Sequence, residues 1–219
     1  HADDDFSKFG SIAELTNWNI YSPVWAPVSL EGAWLKLQDK DPFDYAKVER
    51  KIPASKELKV SFDLLAEQND KGRLQIDFLD GNSIACSRLE LTPDGIFRMK
   101  GGSRFANMMN YEAGKTYHVE AVLSTADRNI QVYVDGKRVG LRMFYAPVAT
   151  IERIAFRTGE MRTFPTVDTP ADQTYDLPDA GGQEPLAEYR IANVKTSSTD
   201  KDASFRISTS MKRYFFVFS

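Results

Sequence analysis

Cysteine and histidine are nearly absent: the 219 residues include one cysteine, Cys86, and two histidines. A single cysteine excludes an intrachain disulfide framework and a cysteine-based metal site. Its position in the apolar-rich stretch SIACSRLEL predicts a small buried side chain. His118 lies in TYHVEAV, on the strand face opposite Tyr117 and Val119, and as a general base it would need Glu120, the nearest same-face partner.

Long apolar runs and a surplus of basic charge are also missing. The formal net charge is -3, with lysine and arginine scattered among aspartate and glutamate, so no nucleic-acid partner is expected. No apolar run approaches the roughly 20 residues that span a bilayer. The chain opens with the polar HADDDF instead of a signal peptide, and we expect a mature secreted, periplasmic or cell-surface chain, or a trimmed one.

Strand signals are frequent along the chain. Leu58, Val60 and Phe62 alternate with polar residues in ELKVSFDLLAE, and Ile130 and Val132 do so in NIQVYVDGKRVG, where an Asp-Gly step predicts a tight hairpin turn. Similar turns recur at short spacing, which predicts about a dozen antiparallel strands. No repeat of fixed period is found. We expect an all-β fold, a two-sheet antiparallel β-sandwich of jelly-roll type, as a single domain over residues 1–219.

A segment at about residues 162–185 interrupts this pattern, because it is rich in proline, glycine and aspartate and has little apolar periodicity. Loops longer than about 12 to 15 residues in compact domains are usually functional or disordered. Three interpretations stay open: an exposed excursion, a loop folded over one sheet face, or a loop that supplies oxygen ligands to a structural calcium ion. The spacing does not match a calcium-binding loop, and the candidate ligands are Asp168, Asp172, Asp176 and Asp179.

Residues 114–140, GKTYHVEAVLSTADRNIQVYVDGKRVG, resemble the signature hairpin of the concanavalin A-like superfamily, in particular its laminin G-like jelly-roll modules. The later stretches FRTGEMRTFPTVDTPADQTYDLP and AEYRIANVKT are similar to modules of secreted polysaccharide-degrading proteins of gut Bacteroidetes. The resemblance implies a polysaccharide or oligosaccharide partner. Relatives on this fold include lectins and binding modules, polysaccharide lyases and glycoside hydrolases.

Catalytic motifs separate these relatives. The strand motifs E-x-D-x-x-E and E-x-D-x-E, which supply the paired carboxylates of a retaining hydrolase, do not occur. Alginate lyases of this fold carry the motif R-S/T-E-L-R followed by the motif Q-I-H. In this chain the similar stretch SRLEL follows QID instead of preceding it, and Asp77 stands in place of the histidine of Q-I-H. We therefore expect a non-catalytic carbohydrate-binding or accessory module, with no catalytic residues assigned. The alternative is a glycoside hydrolase or polysaccharide lyase with non-standard catalytic residues.

Aromatic side chains and forked donors are the candidates for sugar binding, since a sugar offers a face of C–H groups and a rim of hydroxyls. All three tryptophans lie in NWNIYSPVWAPVSLEGAWLKL. Trp18 and Trp34 are expected in the core, whereas Trp25, between Pro23 and Pro27, is expected as an exposed stacking platform. The predicted sugar-contacting set further contains Arg104, Asn107, Asn110 and Tyr111 in GGSRFANMMNYEAG, interpreted as a loop or a wide hairpin with a Met-lined underside, together with Arg157 and Arg162.

Overall fold

A computed structural model describes residues 1–41, 43–159 and 187–198, and these residues form two antiparallel sheets packed face to face. Two short 3-10 turns lie near the start, at Phe6–Lys8 and Ile12–Glu14. The strands are β1 (Asp3–Asp4), β2 (Trp18–Tyr21), β3 (Val28–Glu31), β4 (Trp34–Asp39), β5 (Lys47–Ser55), β6 (Glu57–Ala66), β7 (Leu74–Leu79), β8 (Ala85–Leu91), β9 (Ile96–Gly101), β10 (Arg104–Asn110), β11 (Thr116–Ser124), β12 (Asn129–Val134), β13 (Lys137–Met143), β14 (Ile151–Thr158) and β15 (Ala187–Ser198).

The strand order differs from the chain order in both sheets. The eight-stranded sheet runs β13-β12-β11-β6-β15-β4-β3, with β1 paired to β15. The seven-stranded sheet runs β10-β9-β8-β7-β14-β5-β2. Late strands are thus inserted between early ones, β15 between β6 and β4, and β14 between β7 and β5. This arrangement brings residues that are far apart in the sequence onto one sheet face.

The core lies between the sheets and is built by the period-two alternation. Val60, Phe62, Val119 and Val132 of the eight-stranded sheet have no exposed surface. Phe62 meets Phe156 of the other sheet edge to face, with ring centroids 5.1 Å apart, a favoured geometry for aromatic pairs. The predicted all-β sandwich of jelly-roll type is confirmed.

The hairpin between β12 and β13 turns at Asp135 and Gly136. Both residues have positive φ, 49° and 82°, as a type I′ turn requires, and such a turn matches the right-handed twist of the flanking strands. The Asp-Gly step in the sequence therefore predicted this hairpin correctly.

The tryptophans expected in the core behave differently from each other. Trp18 is buried against Phe6, and its indole Nε1 donates to Asp4 Oδ2 at 3.0 Å. The prediction for Trp34 is wrong: β4 turns Leu35 and Leu37 inward, so Trp34 lies half-buried on the outer face of the eight-stranded sheet. The alternation in WLKL predicts that Trp34 lies on the face opposite Leu35 and Leu37. The usual burial of tryptophan, taken alone, predicts the wrong face.

Several predictions concern residues outside the described ranges. These are the irregular segment at 162–185 and the strand candidates SFRIST and RYFFVF, so they stay predictions, as does the single domain over 1–219. Within the described ranges, no helix has the length and apolar character needed to cross a membrane.

Candidate functional site

The outer face of the seven-stranded sheet carries a continuous row of polar side chains. Strand pairing sets Arg157 of β14 opposite Gln75 of β7, Gln75 opposite Glu90 of β8, Glu90 opposite Arg98 of β9, and Arg98 opposite Asn107 of β10. The alternating positions on these strands point into the core, which keeps the polar row on one side. Five strands thus contribute neighbouring side chains to a single surface.

Part of this surface is concave and forms a groove of about 310 Å³. Gln75 and Glu90 form its floor, because they are 5% and 2% exposed although they face away from the core. Long side chains on the flanking strands cover them from both sides. We call this the cationic groove, and its lining residues are Arg73, Gln75, Arg88, Glu90, Arg98, Lys100 and Phe105.

Ion pairs hold the arginines of the groove in place. Glu90 accepts from Arg98 Nη2 at 2.7 Å and also pairs with Arg73. Asp77 accepts from Arg88 through two parallel bonds, from Nε at 2.7 Å and from Nη2 at 3.0 Å. Its hydrogen bond to the guanidinium raises the pKa of Arg88 above the usual value. The carboxylates therefore orient the guanidinium groups.

Three cations of this face also lie over aromatic rings. The Cζ of Arg98 is 4.1 Å from the ring centroid of Phe105, the Nζ of Lys100 is 4.4 Å from that of Tyr145, and the Cζ of Arg157 is 3.9 Å from that of Tyr45. Such contacts attract the cation to the negative face of the ring and limit its rotamers. Burial raises the pKa of Tyr145 to about 12, so its hydroxyl stays neutral beside these charges.

Cationic groups remain available after these contacts. The Nε atoms of Arg98 and Arg157 have no hydrogen-bond partner among the described residues, but protein atoms cover them, so the donors open to a ligand are other cationic atoms. Within the same residues, no carboxylate lies at ion-pair distance from Lys100. Outward-pointing cations outnumber carboxylates on β14, β7, β8 and β9 and at the residue before β7: they are Arg73, Arg88, Arg98, Lys100, Arg153 and Arg157, against Asp77, Glu90 and Glu152, with Glu49 of β5 beside Arg153. The groove can therefore donate several directed hydrogen bonds to oxygen atoms of a ligand.

The segment expected to form a sugar-binding loop is a strand, β10, paired with β9. Asn107 and Asn110 lie opposite Arg98 and Ile96 on the outer face and are exposed, next to the groove. Arg104 pairs with Gly101 near the hairpin tip, on the opposite side of β10 from Phe105.

The expected Met-lined underside is confirmed, because Met108 and Met109 pack against the core, but the hairpin is tight and not wide, with only residues 102–103 between the paired Gly101 and Arg104. Tyr111 corrects the prediction of a sugar-contacting ring. It is 3% exposed, and its hydroxyl donates to the Thr92 carbonyl at 2.5 Å, so its ring is part of the sandwich and faces no ligand. Apolar burial of the ring with one satisfied hydroxyl is the usual arrangement of a core tyrosine.

Trp25 lies half-buried in the turn between β2 and β3, where the chain passes from one sheet to the other. Its carbonyl accepts from the Lys40 amide at 2.8 Å. Because β2 and β10 are opposite edges of the seven-stranded sheet, the fold does not bring Trp25 together with Asn107 or Asn110. Of the predicted set, Arg157 and these two asparagines share one face.

The remaining predicted residues lie outside the described ranges. They are Arg162 and the calcium candidates Asp168, Asp172, Asp176 and Asp179. Within residues 1–41, 43–159 and 187–198, no group of three or more histidine, cysteine, aspartate or glutamate side chains is placed to hold a metal ion. The calcium ion thus stays a prediction from the sequence.

His118 lies on the outer face of the eight-stranded sheet, away from the groove. Its Nδ1 is 2.8 Å from Asp63 Oδ1, and Asn193 donates to the other oxygen of Asp63 at 2.8 Å. Glu120, the partner expected from the sequence, instead pairs with Lys59 at 3.3 Å. The neighbouring strand β6 supplies the partner of His118, which spacing along β11 could not reveal.

The groove residues Arg73, Arg88, Arg98, Lys100 and Phe105 were not predicted from the sequence. A signal for most of them was present, because RLQID, SRLEL and FRMKG alternate apolar residues with polar ones, and the polar positions are mainly basic. The apolar positions of these strands predict the core. The polar positions between them lie on the opposite face of each strand and predict the basic surface of the groove.

The two-sheet sandwich defines the class of protein, a jelly-roll β-sandwich, an architecture that lectin domains also use. Within this class the chain belongs to the family described as "Sialidase-like, CBM domain", whose model matches residues 18–173. The chain is a sialidase-like carbohydrate-binding module. No curated protein matches its sequence.

Solved structures provide further comparisons. A chain titled "Sialidase" is 96% identical with a TM-score of 0.82, over 93% of this chain and 19% of its own length. This chain therefore spans about a fifth of that sialidase. The Emp47p carbohydrate recognition domain is 11% identical with a TM-score of 0.59, covering 90% of this chain and 94% of its own. The alginate lyase AlgAT5 of polysaccharide lyase family 7 is 13% identical with a TM-score of 0.53, covering 84% and 95%. These last two likenesses show the fold alone.

Proposed function

We propose that this module binds a polysaccharide or oligosaccharide in the cationic groove. The observation that carries the proposal is the combination, in one concave surface, of guanidinium donors fixed by buried carboxylates and the ring of Phe105 at the edge. A sugar presents hydroxyls that need directed donors and a C–H face that packs on flat groups. The groove offers both within a few residues.

The proposed role is non-catalytic. The groove carboxylates Asp77 and Glu90 are each engaged by arginine, whereas a glycosidase acid needs a raised pKa and a free oxygen to protonate the leaving group. A glycoside hydrolase or polysaccharide lyase on this fold is the alternative that turnover would establish.

The match to part of a longer protein extends the proposal from sugar binding to a role beside an enzyme. A similar sequence occupies 19% of a chain titled "Sialidase", and we propose that this module accompanies a catalytic portion acting on glycans. Tethering a binding module to an enzyme raises the effective concentration of its substrate without any new contact at the active site. A secreted, periplasmic or cell-surface location would give such a protein access to polysaccharide.

A glycan-array screen followed by calorimetric titration tests the proposal. We expect Phe105→Ala to weaken binding of the best glycan roughly tenfold, the usual scale for a contributing interface aromatic. Tyr133→Ala is the matched control, because Tyr133 is a half-buried aromatic on the outer face of the other sheet. Both variants should keep the parent melting temperature to within a few degrees.

Two results would contradict binding in the cationic groove. Equal loss for both variants, or no loss for Phe105→Ala, would remove the groove as the binding site. A reducing-sugar assay and an absorbance assay for unsaturated products are run on the same glycans. Product formation would establish the enzyme alternative.

A further inference from the structure

We infer that the glycan bound in the cationic groove carries carboxylate groups, as polymers of uronic or other sugar acids do. The inference rests on the proposed function and names the chemistry of its ligand. It is carried by the charge and geometry of the groove residues.

The outer face of the seven-stranded sheet has more positive than negative side chains, whereas the whole chain has a negative net charge. The protein has a net charge of -3, yet outward-pointing cations exceed carboxylates across β14, β7, β8 and β9. A concave surface lined by one sign of charge concentrates the field and raises the local concentration of the opposite ion. A neutral glycan gains nothing from this excess, whereas an acidic one does.

The arginines are also fixed in advance. Glu90, 2% exposed, binds Arg98 and Arg73, and Asp77 binds Arg88 through two bonds. Guanidinium groups that are already oriented lose less side-chain entropy when a ligand binds. Their planar, forked donors match the two oxygens of a carboxylate, which is the geometry that distinguishes arginine from a simple point charge.

Two cations remain without an acidic partner among the described residues. Lys100 contacts the Tyr145 ring and no carboxylate, and Arg157 contacts the Tyr45 ring while its buried Nε lacks an acceptor. A cation without a carboxylate partner can pair with a carboxylate that a ligand supplies. These are the positions where ligand carboxylates would complete the site.

The spacing of these positions favours more than one sugar unit. Arg157 and Arg98 lie in one row on β14 and β9, three strand steps apart, which corresponds to about 14 Å at the usual strand separation. A single sugar ring is shorter than this distance. Arg157 lies in this row beside the groove and outside its lining, so the groove and its continuation toward Arg157 fit an oligosaccharide with charged groups on successive units.

Pairs of polysaccharides that differ only in the acid group provide the test. Polygalacturonate, alginate, hyaluronan and polysialic acid are each compared with their carboxyl-reduced forms by titration against the full chain. We expect at least one acid form to bind, and its reduced form to bind at least tenfold more weakly. The difference should shrink at high salt, because exposed ion pairs are screened.

Charge-removing variants locate the effect. Lys100→Gln and Arg157→Gln should each weaken binding of the acid form roughly tenfold, the scale of one hydrogen bond to a charged group. Lys195→Gln removes the same charge from an exposed position on β15 of the other sheet and should leave affinity unchanged. Lys100 has no acidic partner among the described residues, so its replacement should not unfold the chain.

The outcomes separate the two proposals. Equal binding of acid and reduced forms, or equal losses for Lys195→Gln and Lys100→Gln, would overturn the carboxylate inference while leaving sugar binding intact. Binding of dextran sulfate as tightly as the best carboxylated polymer would also overturn it, because point charges alone would then suffice. Failure to bind any acidic or neutral glycan would instead overturn the proposed function.

Discussion

The outer faces of the two sheets share one sequence pattern but differ in how their charged side chains are held. On the eight-stranded sheet some cations are held by carboxylates: Lys36 binds Glu31 at 2.7 Å and Glu188 at 3.3 Å, and Lys59 binds Glu120 at 3.3 Å, whereas Lys195 is exposed. On the seven-stranded sheet Glu90 fixes two arginines side by side in one groove, and Lys100 lies over an aromatic ring with no carboxylate at ion-pair distance among the described residues. Alternation makes a face polar, and the neighbours across strands decide whether its charges cancel.

The largest expected effect tests the division into inner and outer sides. Val132→Asp would bury an unpaired carboxylate between the sheets, since Val132 has no exposed surface, and we expect the chain to be unfolded. Gln131→Asp changes the adjacent outward position of β12 and should cost less than about 1 kcal/mol. Circular dichroism and thermal melting distinguish the two. Similar melting curves would contradict the assigned strand faces.

The second prediction compares carboxylates on the two outer faces. Glu90→Gln leaves Arg73 and Arg98 close together without their shared partner, and we expect a loss of about 2 to 3 kcal/mol in unfolding free energy. Glu120→Gln breaks a solvent-exposed pair and should cost under about 1 kcal/mol. Urea titration measures both. A cost for Glu90→Gln as small as that for Glu120→Gln would show that the groove arginines need no anchor.

The third prediction concerns Asp39, which β4 points between the sheets near their end. Burial raises its pKa from 3.8 to about 6, partly offset by hydrogen bonds from the Asp41 amide and the Thr158 hydroxyl. A raised carboxyl pKa means that the neutral form stabilises the fold below about pH 4 and that this stability is lost as the pH rises through about 6. Asp39→Asn should therefore match the parent near pH 4.

At pH 7.5 the same variant should exceed the parent by up to about 3 kcal/mol, the free energy of a shift of about two pKa units. Unfolding titrations at a series of pH values measure the difference. A constant difference across this range would mean that Asp39 does not titrate as its burial requires.

The smallest expected effect concerns the segment that leaves β14 in one sheet and returns as β15 in the other. If its aspartates bind calcium, about 1 mM calcium should raise the unfolding free energy by about 1.4 kcal/mol at a Kd of about 0.1 mM. Changing Asp168 and Asp172 to Asn should abolish the rise. Equal melting temperatures with calcium and with chelator would end the calcium hypothesis.

The architecture could be predicted from the sequence because strands and hairpin turns are determined by residues close together in the chain. Alternation around Phe62 and Val132 and the Asp135–Gly136 turn depend only on near neighbours in the chain. The site depends on distant ones, since Arg157 meets Gln75 only because β14 is inserted beside β7. The predictions for Tyr111 and Trp34 were wrong because they followed the type of residue. The alternation of inward and outward positions along the chain decides which side chains are buried.

Mapping the backbone amide chemical shifts of the chain during titration with its glycan shows directly whether the cationic groove is the binding site. We expect perturbed amides to cluster on β7, β8, β9 and β10, around Gln75, Glu90 and Arg98, and amides of β6 and β11 near Asp63 and His118 to stay unchanged. Perturbations confined to the outer face of the eight-stranded sheet, with none along the groove strands, would contradict it.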